Sequence, residues 1–407
     1  MTDYTEALDE ELATLSSRID TAEGGLTLAV TRIDKNQSDI AELQSKIDEP
    51  GQPPTGGASE KFTVGLPGSG ASYEVTQGAC EVAINQALKD ASAFSGGVGG
   101  SVRLLAGQYI TKGPIVLGDR NTLSGAGSPA TNIVANVATW SGEAMILTPS
   151  GFAGARVTVE NLQVDCRNKV GFGVYLRQDG APVVLGPDPM HRVRGVDVFQ
   201  AVSDGFRLGG ARAGACREFH ITDCRAQVCG GFGFNWADSS DGFIQFCSVQ
   251  GCRGGGYNVA GGNSKVSCCK AYGIGKAGAP ANAFQISSGR CTVTGCEAQD
   301  VIGNGFYVGG TNSSVSGCNA DSCGDGTDPN NSAGFVIAGS RCYVSGVSYQ
   351  RGNGGMKWEL PSAGQMFAVR FAGGSNCVVS VVGGATIETY KGHVSGTPGS
   401  GSSVTVI

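Results

Sequence analysis

Six aspartates are the side chains of this sequence best suited to acid–base chemistry. When the repeats of the chain are aligned on the phrase Val-x-x-Cys, three of them stand just before the cysteine position and three others flank the same repeats. Carboxylates stacked about 4.8 Å apart raise one another's pKa, so one can donate a proton while another accepts one. Enzymes that cleave polysaccharides use such pairs. The candidate catalytic residues are Asp165, Asp197, Asp223, Asp204, Asp238 and Asp241, with His191, Glu218 and His220 near them in sequence.

A purely structural role explains the same aspartates. In later repeats the position before the cysteine holds Gly295, Gly317 and Gly346. A position shared by Asp and Gly indicates a bend with left-handed backbone geometry, which both residues tolerate. Asp204 and its two flanking companions are each followed by Gly or Ser, which is typical of turns. We therefore expect bends and turns here, with catalysis as the alternative.

A second set of residues suits sugar binding. It occupies the middle position of a recurring phrase, Gly-Phe-x-Val, and consists of amides, arginines and tyrosines without a carboxylate. Aromatic rings pack on the apolar faces of sugars, and amides pair with hydroxyl groups. An ordinary solvated face with an amide ladder is the alternative interpretation. The candidate glycan-binding residues are Tyr175, Arg207, Asn235, Asn258, Gln285, Tyr307 and Arg370, with Val336 at the same position and the insertion 177–192 beside them.

The phrase Gly-Phe-x-Val also predicts the fold. Its first apolar residue falls at positions 174, 206, 234, 257, 284, 306, 335 and 369. Each copy alternates apolar and polar residues, as a β-strand does. Strands that recur at intervals of 22 residues or more, with loops absorbing the excess, indicate a parallel β-helix whose coils bury their apolar sides against one another.

Composition limits the functions that the chain can have. Its 407 residues carry a net charge of −6, which gives no general attraction to nucleic acid or anionic lipid. No apolar run approaches the ~20 residues that span a bilayer, and the acidic start, Met1–Glu11, is unlike a signal peptide. No spacing of ligand residues indicates a metal or another cofactor, so we expect none.

The 15 cysteines follow the repeat. They share positions with Val and Ile, as in the set Cys166, Val198, Cys224, Cys247, Cys269, Cys296, Cys318 and Val347. A cysteine that interchanges with Val and Ile behaves as a small buried hydrophobe. We expect reduced thiols that face inward, with some disulfides or a bound metal as the alternative.

The first 58 residues differ from the rest. Leucine, isoleucine and alanine recur at alternating spacings of 4 and 3 from Leu8 to Ile47, which predicts a coiled-coil stalk over 1–48 and hence an oligomer. Residues 49–58, rich in Pro and Gly, form a linker. The segment Cys80–Phe94 reads as an amphipathic helix that buries Val82, Ile84, Ala87, Leu88 and Ala91. We assign 59–390 to the β-helix and 391–407 to a short C-terminal strand or tail, which either closes the solenoid or joins an oligomer.

The helix together with GGSVRLLAGQYI, an Ile-Val-Leu strand and TLSGAG resembles the opening coils of the pectate-lyase-like right-handed β-helices. The resemblance covers roughly residues 60–390 and implies that the helix caps the solenoid. With an N-terminal coiled coil, the layout resembles bacteriophage tailspike or tail-fibre proteins, which are homotrimers.

That resemblance implies a virion protein, assembled in the host cytoplasm, which attaches to other tail proteins through its N-terminal region and binds host surface polysaccharide. The alternatives are a polysaccharide lyase or glycoside hydrolase on the same solenoid, and a bacterial β-helix protein unrelated to phages. We expect binding without catalysis, because the outward column contains no acid.

Overall fold

The computed structural model describes residues 62–97, 99–138, 140–179, 190–210, 216–237, 239–275, 279–324, 333–350 and 367–372, together with 375, 377–385, 392–395, 400 and 402–406. These residues belong to one compact unit, 59–407. The predicted coiled coil over 1–48 and linker over 49–58 lie outside the described residues.

Among the described residues, the strands form three sheets in which every pair is parallel. The largest sheet contains β1 (Thr63–Gly65), β2 (Tyr73–Glu74), β3 (Gly100–Leu104), β4 (Gly107–Thr111), β6 (Asn121–Ser124), β7 (Thr131–Ala135), β9 (Thr158–Asp165), β11 (Arg192–Phe199), β14 (His220–Thr222), β15 (Arg225–Gln227), β18 (Phe243–Gln245), β19 (Ser248–Gln250), β21 (Lys265–Ser267), β22 (Lys270–Tyr272), β24 (Thr292–Thr294), β25 (Glu297–Val301), β27 (Ser314–Cys323), β29 (Tyr343–Gln350), β31 (Val378–Ala385) and β33 (Ser403–Val406). The second contains β5 (Ile115–Val116), β8 (Ala144–Leu147), β10 (Phe172–Leu176), β12 (Phe206–Leu208), β16 (Phe232–Trp236), β20 (Gly255–Val259), β23 (Phe284–Ile286), β26 (Phe306–Val308), β28 (Ala333–Ile337), β30 (Phe367–Phe371) and β32 (Gly392–Ser395). The third pairs β13 (Cys216–Arg217) with β17 (Ser239–Ser240).

Each coil of the solenoid presents three faces in turn. β14 pairs with β18 on what we call the first face, and β15 pairs with β19 on the second face, one bend further along the chain. β16 pairs with β20 on the third face, which is the 11-stranded sheet. Each strand thus pairs with its counterpart one coil away, which makes the fold a parallel β-helix. The right hand predicted for it stays a prediction.

The bend between the first and second faces forms a column of left-handed residues. Their φ angles lie between 53° and 62° in seven successive coils, at Asn161, Gly195, Asp223, Phe246, Cys268, Gly295 and Gly317. The bend expected at Asp223 is therefore present. Gly346 lies opposite Cys318 instead, because the register shifts between β27 and β29.

The predicted stack of Asp165, Asp197 and Asp223 is wrong. Asp197 lies opposite Gln163 and Arg225, and Asp165 lies opposite Phe199, so neither occupies the bend column. In the structure, the positions equivalent to Cys224 are held by Leu162 and Val196. Leu162 lies four residues before Cys166, and Val196 lies two residues before Val198. An even displacement keeps the alternation of inward and outward residues, so the sequence pattern alone did not reveal the error.

Stacked side chains fill the solenoid. Six rings form a ladder, with centroids 4.6–5.1 Å apart and planes within 10° of parallel. They are Phe206, Phe234, Tyr257, Phe284, Phe306 and Phe335. All 15 cysteines are free thiols, and 14 of them are buried, with Cys268 the exposed one. Burial raises the pKa of thiols such as Cys166 and Cys323 well above its usual range, which keeps them protonated and unreactive.

In the described part of the chain, the helix α1 (Cys80–Phe94) packs against the first coils with the predicted bounds. It buries Cys80, Ile84, Ala87, Leu88 and Ala91. Val82, predicted to be buried, is 63% exposed, because it lies about 200° around the helix from Cys80. Gly100 is needed where β3 passes the helix, since a Cβ there would meet the Ala91 carbonyl carbon at 2.5 Å.

The C-terminal segment continues the stack. β32 pairs with β30, and β33 pairs with β31, in unbroken register. These two strands therefore form a further layer on the coil before them, which corresponds to the solenoid-closing alternative for 391–407.

Candidate functional site

The predicted glycan-binding residues form a continuous column on the third face. Tyr175 pairs with Arg207, Arg207 with Asn235, and Asn235 with Asn258. Asn258 pairs with Gln285, and Gln285 with Tyr307. The column then passes through buried Val336 to Arg370. We call it the third-face strip; neighbouring positions are about 4.8 Å apart because each lies on the next strand.

A chain of side-chain hydrogen bonds joins four residues at the centre of the strip. The Asp204 carboxylate accepts bonds from Arg207 Nη1 at 3.2 Å and Asn235 Nδ2 at 2.8 Å. It also accepts the Phe232 backbone N–H at 2.8 Å. Asn258 Nδ2 then donates to Asn235 Oδ1 at 2.9 Å. Asp204 is 3% exposed, so the buried charge is matched by Arg207 and by directed donors.

This series of side-chain hydrogen bonds ends at an acceptor atom without a donor. Oδ1 of Asn258 is buried and accepts no hydrogen bond from the described residues. Leaving a buried carbonyl oxygen unpaired costs about 1–3 kcal/mol.

Aromatic rings and guanidinium groups occupy one end of the strip. The Tyr175 and Phe172 rings lie 5.1 Å apart. The Arg177 guanidinium lies 4.1 Å from the Tyr175 ring centre, and that of Arg207 lies 5.3 Å from the Phe172 ring centre. Arg177 is also paired with Glu143. These contacts hold the two rings in fixed orientations, which makes this end a rigid mixed apolar and cationic surface.

Amides dominate the other end. Asn282 Nδ2 donates to Gln285 Oε1 at 3.1 Å, and Asn304 Nδ2 donates to Asn282 Oδ1 at 2.8 Å. Asn304 Oδ1 in turn accepts the backbone N–H of Ala333 at 3.0 Å. A second column of side chains thus runs beside the third-face strip and orients it.

Sequence reasoning missed this second column. Its members lie three residues before the outward residue of each strand, as Phe172 precedes Tyr175 and Asp204 precedes Arg207. The spacing was visible as a polar or aromatic residue before most Gly-Phe-x-Val phrases, with Gly255 and Ala333 as the exceptions. The remaining pairs are Phe232 with Asn235, Asn282 with Gln285, and Asn304 with Tyr307.

The candidate catalytic aspartates do not come together. Asp165 lies at the end of β9 and accepts the Arg167 backbone N–H at 3.0 Å, as in a turn. Asp197 lies on the second face and accepts the Ser128 hydroxyl at 2.7 Å. Asp223 and Asp241 occupy left-handed bends on opposite sides of the first face, with φ of 54° and 55°.

Asp204 alone among the described candidates lies at the third-face strip, and Asp238 lies outside the described residues. Within the described part of the chain, no group of three or more His, Cys, Asp or Glu side chains is arranged to hold a metal ion. Hydrolysis by two carboxylates needs a partner for Asp204 at a separation of about 5–9.5 Å. The described strip therefore supplies binding groups and one carboxylate.

The three other candidates occupy different environments. His191 is fully buried and accepts the Val157 backbone N–H at 3.3 Å through Nδ1. Burial lowers the pKa of His191 to about 4. Glu218 is a bend residue with φ of 54°, and His220 stands on the first face, with its ring 4.9 Å from that of Phe243.

Comparison with known proteins identifies the fold. No protein-family model matches the chain, and no curated protein matches it in sequence. ORF18 of Geobacillus virus E2 is similar over 86% of this chain and 64% of its own, with a TM-score of 0.56 at 14% identity. The enzymatically active domain of tailspike protein 2 from bacteriophage CBA120 is similar over 76% of this chain and 46% of its own, with a TM-score of 0.56 at 12% identity.

Similarity extends to carbohydrate-active enzymes. The A-module of mannuronan C-5 epimerase AlgE4 from Azotobacter vinelandii is covered completely and covers 84% of this chain, with a TM-score of 0.51 at 15% identity. At such identities the likeness is one of fold: the chain shares the parallel β-helix of these proteins. It spans less than two thirds of the length of the two phage proteins. In the described residues no helix has the length and apolarity to cross a membrane.

Proposed function

We propose that this chain is a phage tail spike or fibre protein that binds a host cell-surface glycan along the third-face strip. The observation that carries the proposal is the register of the strip, which aligns arginine, amide and tyrosine side chains over successive coils. Such a row offers an extended oligosaccharide repeated donors, acceptors and ring surfaces. The fold shared with tailspike protein 2 of bacteriophage CBA120 supports the same role.

The internal hydrogen bonds favour recognition with little rearrangement. Asp204 fixes Arg207 and Asn235, and Asn235 fixes Asn258. Side chains that are ordered before the ligand arrives lose less conformational entropy on binding.

Binding is tested with purified surface polysaccharide from the host and a matched pair of amide variants. Asn258→Ala removes a central member of the strip, and Gln250→Ala removes an outward amide of the same coil on the second face. We expect Asn258→Ala to weaken binding by about tenfold, as loss of one or two hydrogen bonds does. Equal affinity of Asn258→Ala and the unaltered protein in calorimetry would contradict the strip as the binding surface.

A depolymerase is the second candidate function, and the position of Asp204 favours it. This carboxylate lies among the binding groups, between Arg207 and Asn235. Release of oligosaccharides would be measured by reducing ends for a hydrolase and by ultraviolet absorbance for a lyase. Release that disappears in Asp204→Asn, with glycan affinity and melting temperature retained, would establish the enzyme. If no host polysaccharide releases oligosaccharides, glycan binding without cleavage remains as the function.

The oligomer and the location belong to the same proposal. We expect three copies of the 41.3 kDa chain to associate through the heptads of 5–48 and to attach to other tail proteins through this N-terminal region. Sedimentation of the full chain as a monomer would contradict the trimer. Absence of the protein from purified virions by mass spectrometry would contradict a tail component assembled in the host cytoplasm.

A further inference from the structure

A cavity opens on the first face, away from the third-face strip. Its volume is about 320 Å³, and it is lined by Arg156, Thr158, Met190 and Arg192. Thr158 and Arg192 are neighbours in register on β9 and β11, while Arg156 and Met190 occupy the left-handed bends before these strands. The volume lies at the lower end of the ~300–1,000 Å³ range of small-molecule sites.

The charge at this cavity is positive although the chain has a net charge of −6. Arg156 and Arg192 are exposed, and in the described part of the chain neither forms an ion pair. Arg194 adds a third guanidinium two residues along β11. Two unpaired guanidinium groups at one cavity favour a planar or tetrahedral oxyanion, because arginine binds such groups through paired N–H donors.

An outward row continues from the cavity along the first face. Arg192 lies opposite His220, His220 opposite Phe243, and Phe243 opposite Lys265. The His220 and Phe243 rings stack at 4.9 Å, and Lys265 Nζ lies 5.5 Å from the Phe243 ring centre. Three acidic groups flank the row: Glu218 and Asp241 occupy the left-handed bends two residues before His220 and Phe243, and Glu160 lies opposite Arg194. Glu218 acts on His220 electrostatically together with Arg192. The row thus places cations at both ends of an aromatic pair, about 14 Å apart at the strand spacing.

We infer that this row, the first-face cationic row, binds an acidic saccharide as a second site distinct from the third-face strip. A carboxylate of one sugar enters the cavity between Arg156 and Arg192, the chain crosses the apolar ring edges of His220 and Phe243, and a later acidic group meets Lys265. An elongated row with cations at intervals fits a repeating anionic polymer better than a single small anion. The inference concerns a different face and stands whether or not the third-face strip binds glycan.

The test measures binding of the full chain to an oligosaccharide of glucuronate residues by calorimetry at low and high salt. The carboxyl-reduced neutral oligosaccharide and inorganic sulfate are the comparison ligands. We expect the acidic oligosaccharide to bind and the neutral one to bind at least about tenfold more weakly, as the loss of charge-assisted hydrogen bonds implies. High salt should lower the affinity for the acidic oligosaccharide, because salt screens exposed charge pairs.

Variants locate the site. Arg192→Gln and Arg156→Gln should each reduce affinity for the acidic oligosaccharide by about tenfold, whereas Arg225→Gln should not. Arg225 is an exposed arginine on the second face of the same coil as His220, so it controls for general charge. Asn258→Ala alters the third-face strip and not this site. The loss of affinity caused by Arg192→Gln should therefore be the same with and without Asn258→Ala.

Three results would overturn the inference. They are equal affinity for the acidic and neutral oligosaccharides, an equal loss in Arg225→Gln and Arg192→Gln, and sulfate that binds as tightly as the acidic oligosaccharide. The last would show that the cavity recognises an anion alone. Because Arg156 and Arg192 are exposed, their substitution should leave the fold intact, and the melting temperature of each variant checks this.

Discussion

His191 is the residue with the clearest consequence for stability. Its ring is enclosed, Nδ1 accepts a backbone N–H, and Nε2 is buried without an acceptor among the described residues. The fold therefore holds the neutral imidazole, and burial lowers the pKa from its ordinary 6.5 to about 4. Between these two values the unfolded chain binds a proton that the folded chain does not, so stability falls as the pH falls from 6.5 towards 4.

We predict that His191→Gln removes part of the acid sensitivity of the fold. With the pKa values of 6.5 and about 4, the unaltered protein should lose roughly 2 kcal/mol between pH 7 and pH 5 from this residue. Chemical denaturation at both pH values measures the difference between the two proteins. His220→Gln is the control, because His220 is partly exposed. An identical loss of stability in His191→Gln and the unaltered protein would contradict the assignment.

Sequence reasoning at the residue scale succeeded where a pattern had a fixed reference. The outward residues of Gly-Phe-x-Val were found because the Phe ladder fixes their position, and each pairs with the next as aligned. Asp165 and Asp197 were misplaced because an even shift along a strand preserves the pattern of burial. Asp204 was named as a candidate, but its bonds to Arg207 and Asn235 depend on contacts between coils, which spacing alone does not give.

Among the elements, the bends between the first and second faces show the strongest constraint. Each of seven coils turns with one residue in the left-handed region, and one of these residues is Phe246, with φ of 56° and a side chain 62% exposed. A residue with a Cβ pays about 1–2 kcal/mol to adopt this geometry. Coils that use Gly295 or Gly317 avoid the cost.

We predict that Phe246→Gly is more stable than Phe246→Ala by about 1 kcal/mol, since both remove the exposed ring and only Gly removes the Cβ strain. Thermal denaturation of the two variants makes the comparison. The corresponding pair at Gln245, the strand residue before it, should show the reverse order, because Gly weakens a strand interior. Greater stability of Phe246→Ala would argue that the bend is not left-handed.

Along the whole molecule, the ring ladder ties six coils together. Phe284 stacks on both sides, at 4.7 and 4.8 Å, whereas Phe206 ends the ladder and stacks on one. Stacked aromatic pairs contribute about 0.5–1.5 kcal/mol beyond the area they bury. The position of a ring in the ladder should therefore set the cost of removing it.

We predict that Phe284→Leu destabilises the protein by about 1 kcal/mol more than Phe206→Leu, because it breaks two stacked pairs instead of one. Both rings are buried to the same degree, so the two substitutions remove similar apolar area. Phe234→Leu, which also breaks two pairs, should resemble Phe284→Leu. Equal destabilisation by all three in chemical denaturation would show that stacking adds nothing to burial.

The architecture of the whole molecule was the most predictable level. Alternation within strands and a period of at least 22 residues are properties of single coils, which stack by the same contacts throughout. The apolar period predicted the bounds of α1. It did not predict the exposure of Val82, which depends on which side of the helix meets β3. The cavity between Arg156 and Arg192 was not predictable, because it is formed by two coils and two bends that lie far apart in sequence.

The seven equivalent bend residues have an evolutionary consequence. Excision of 246–267 would join Gln245 to Cys268, which occupies the same left-handed position as Phe246, and would leave every remaining coil in register with its new neighbour. The ring ladder would shorten by Tyr257 and the third-face strip by Asn258. The heritable unit of this solenoid is thus a whole coil, so duplication or loss of a genetic segment of that length changes the reach of its surfaces while the chain still folds.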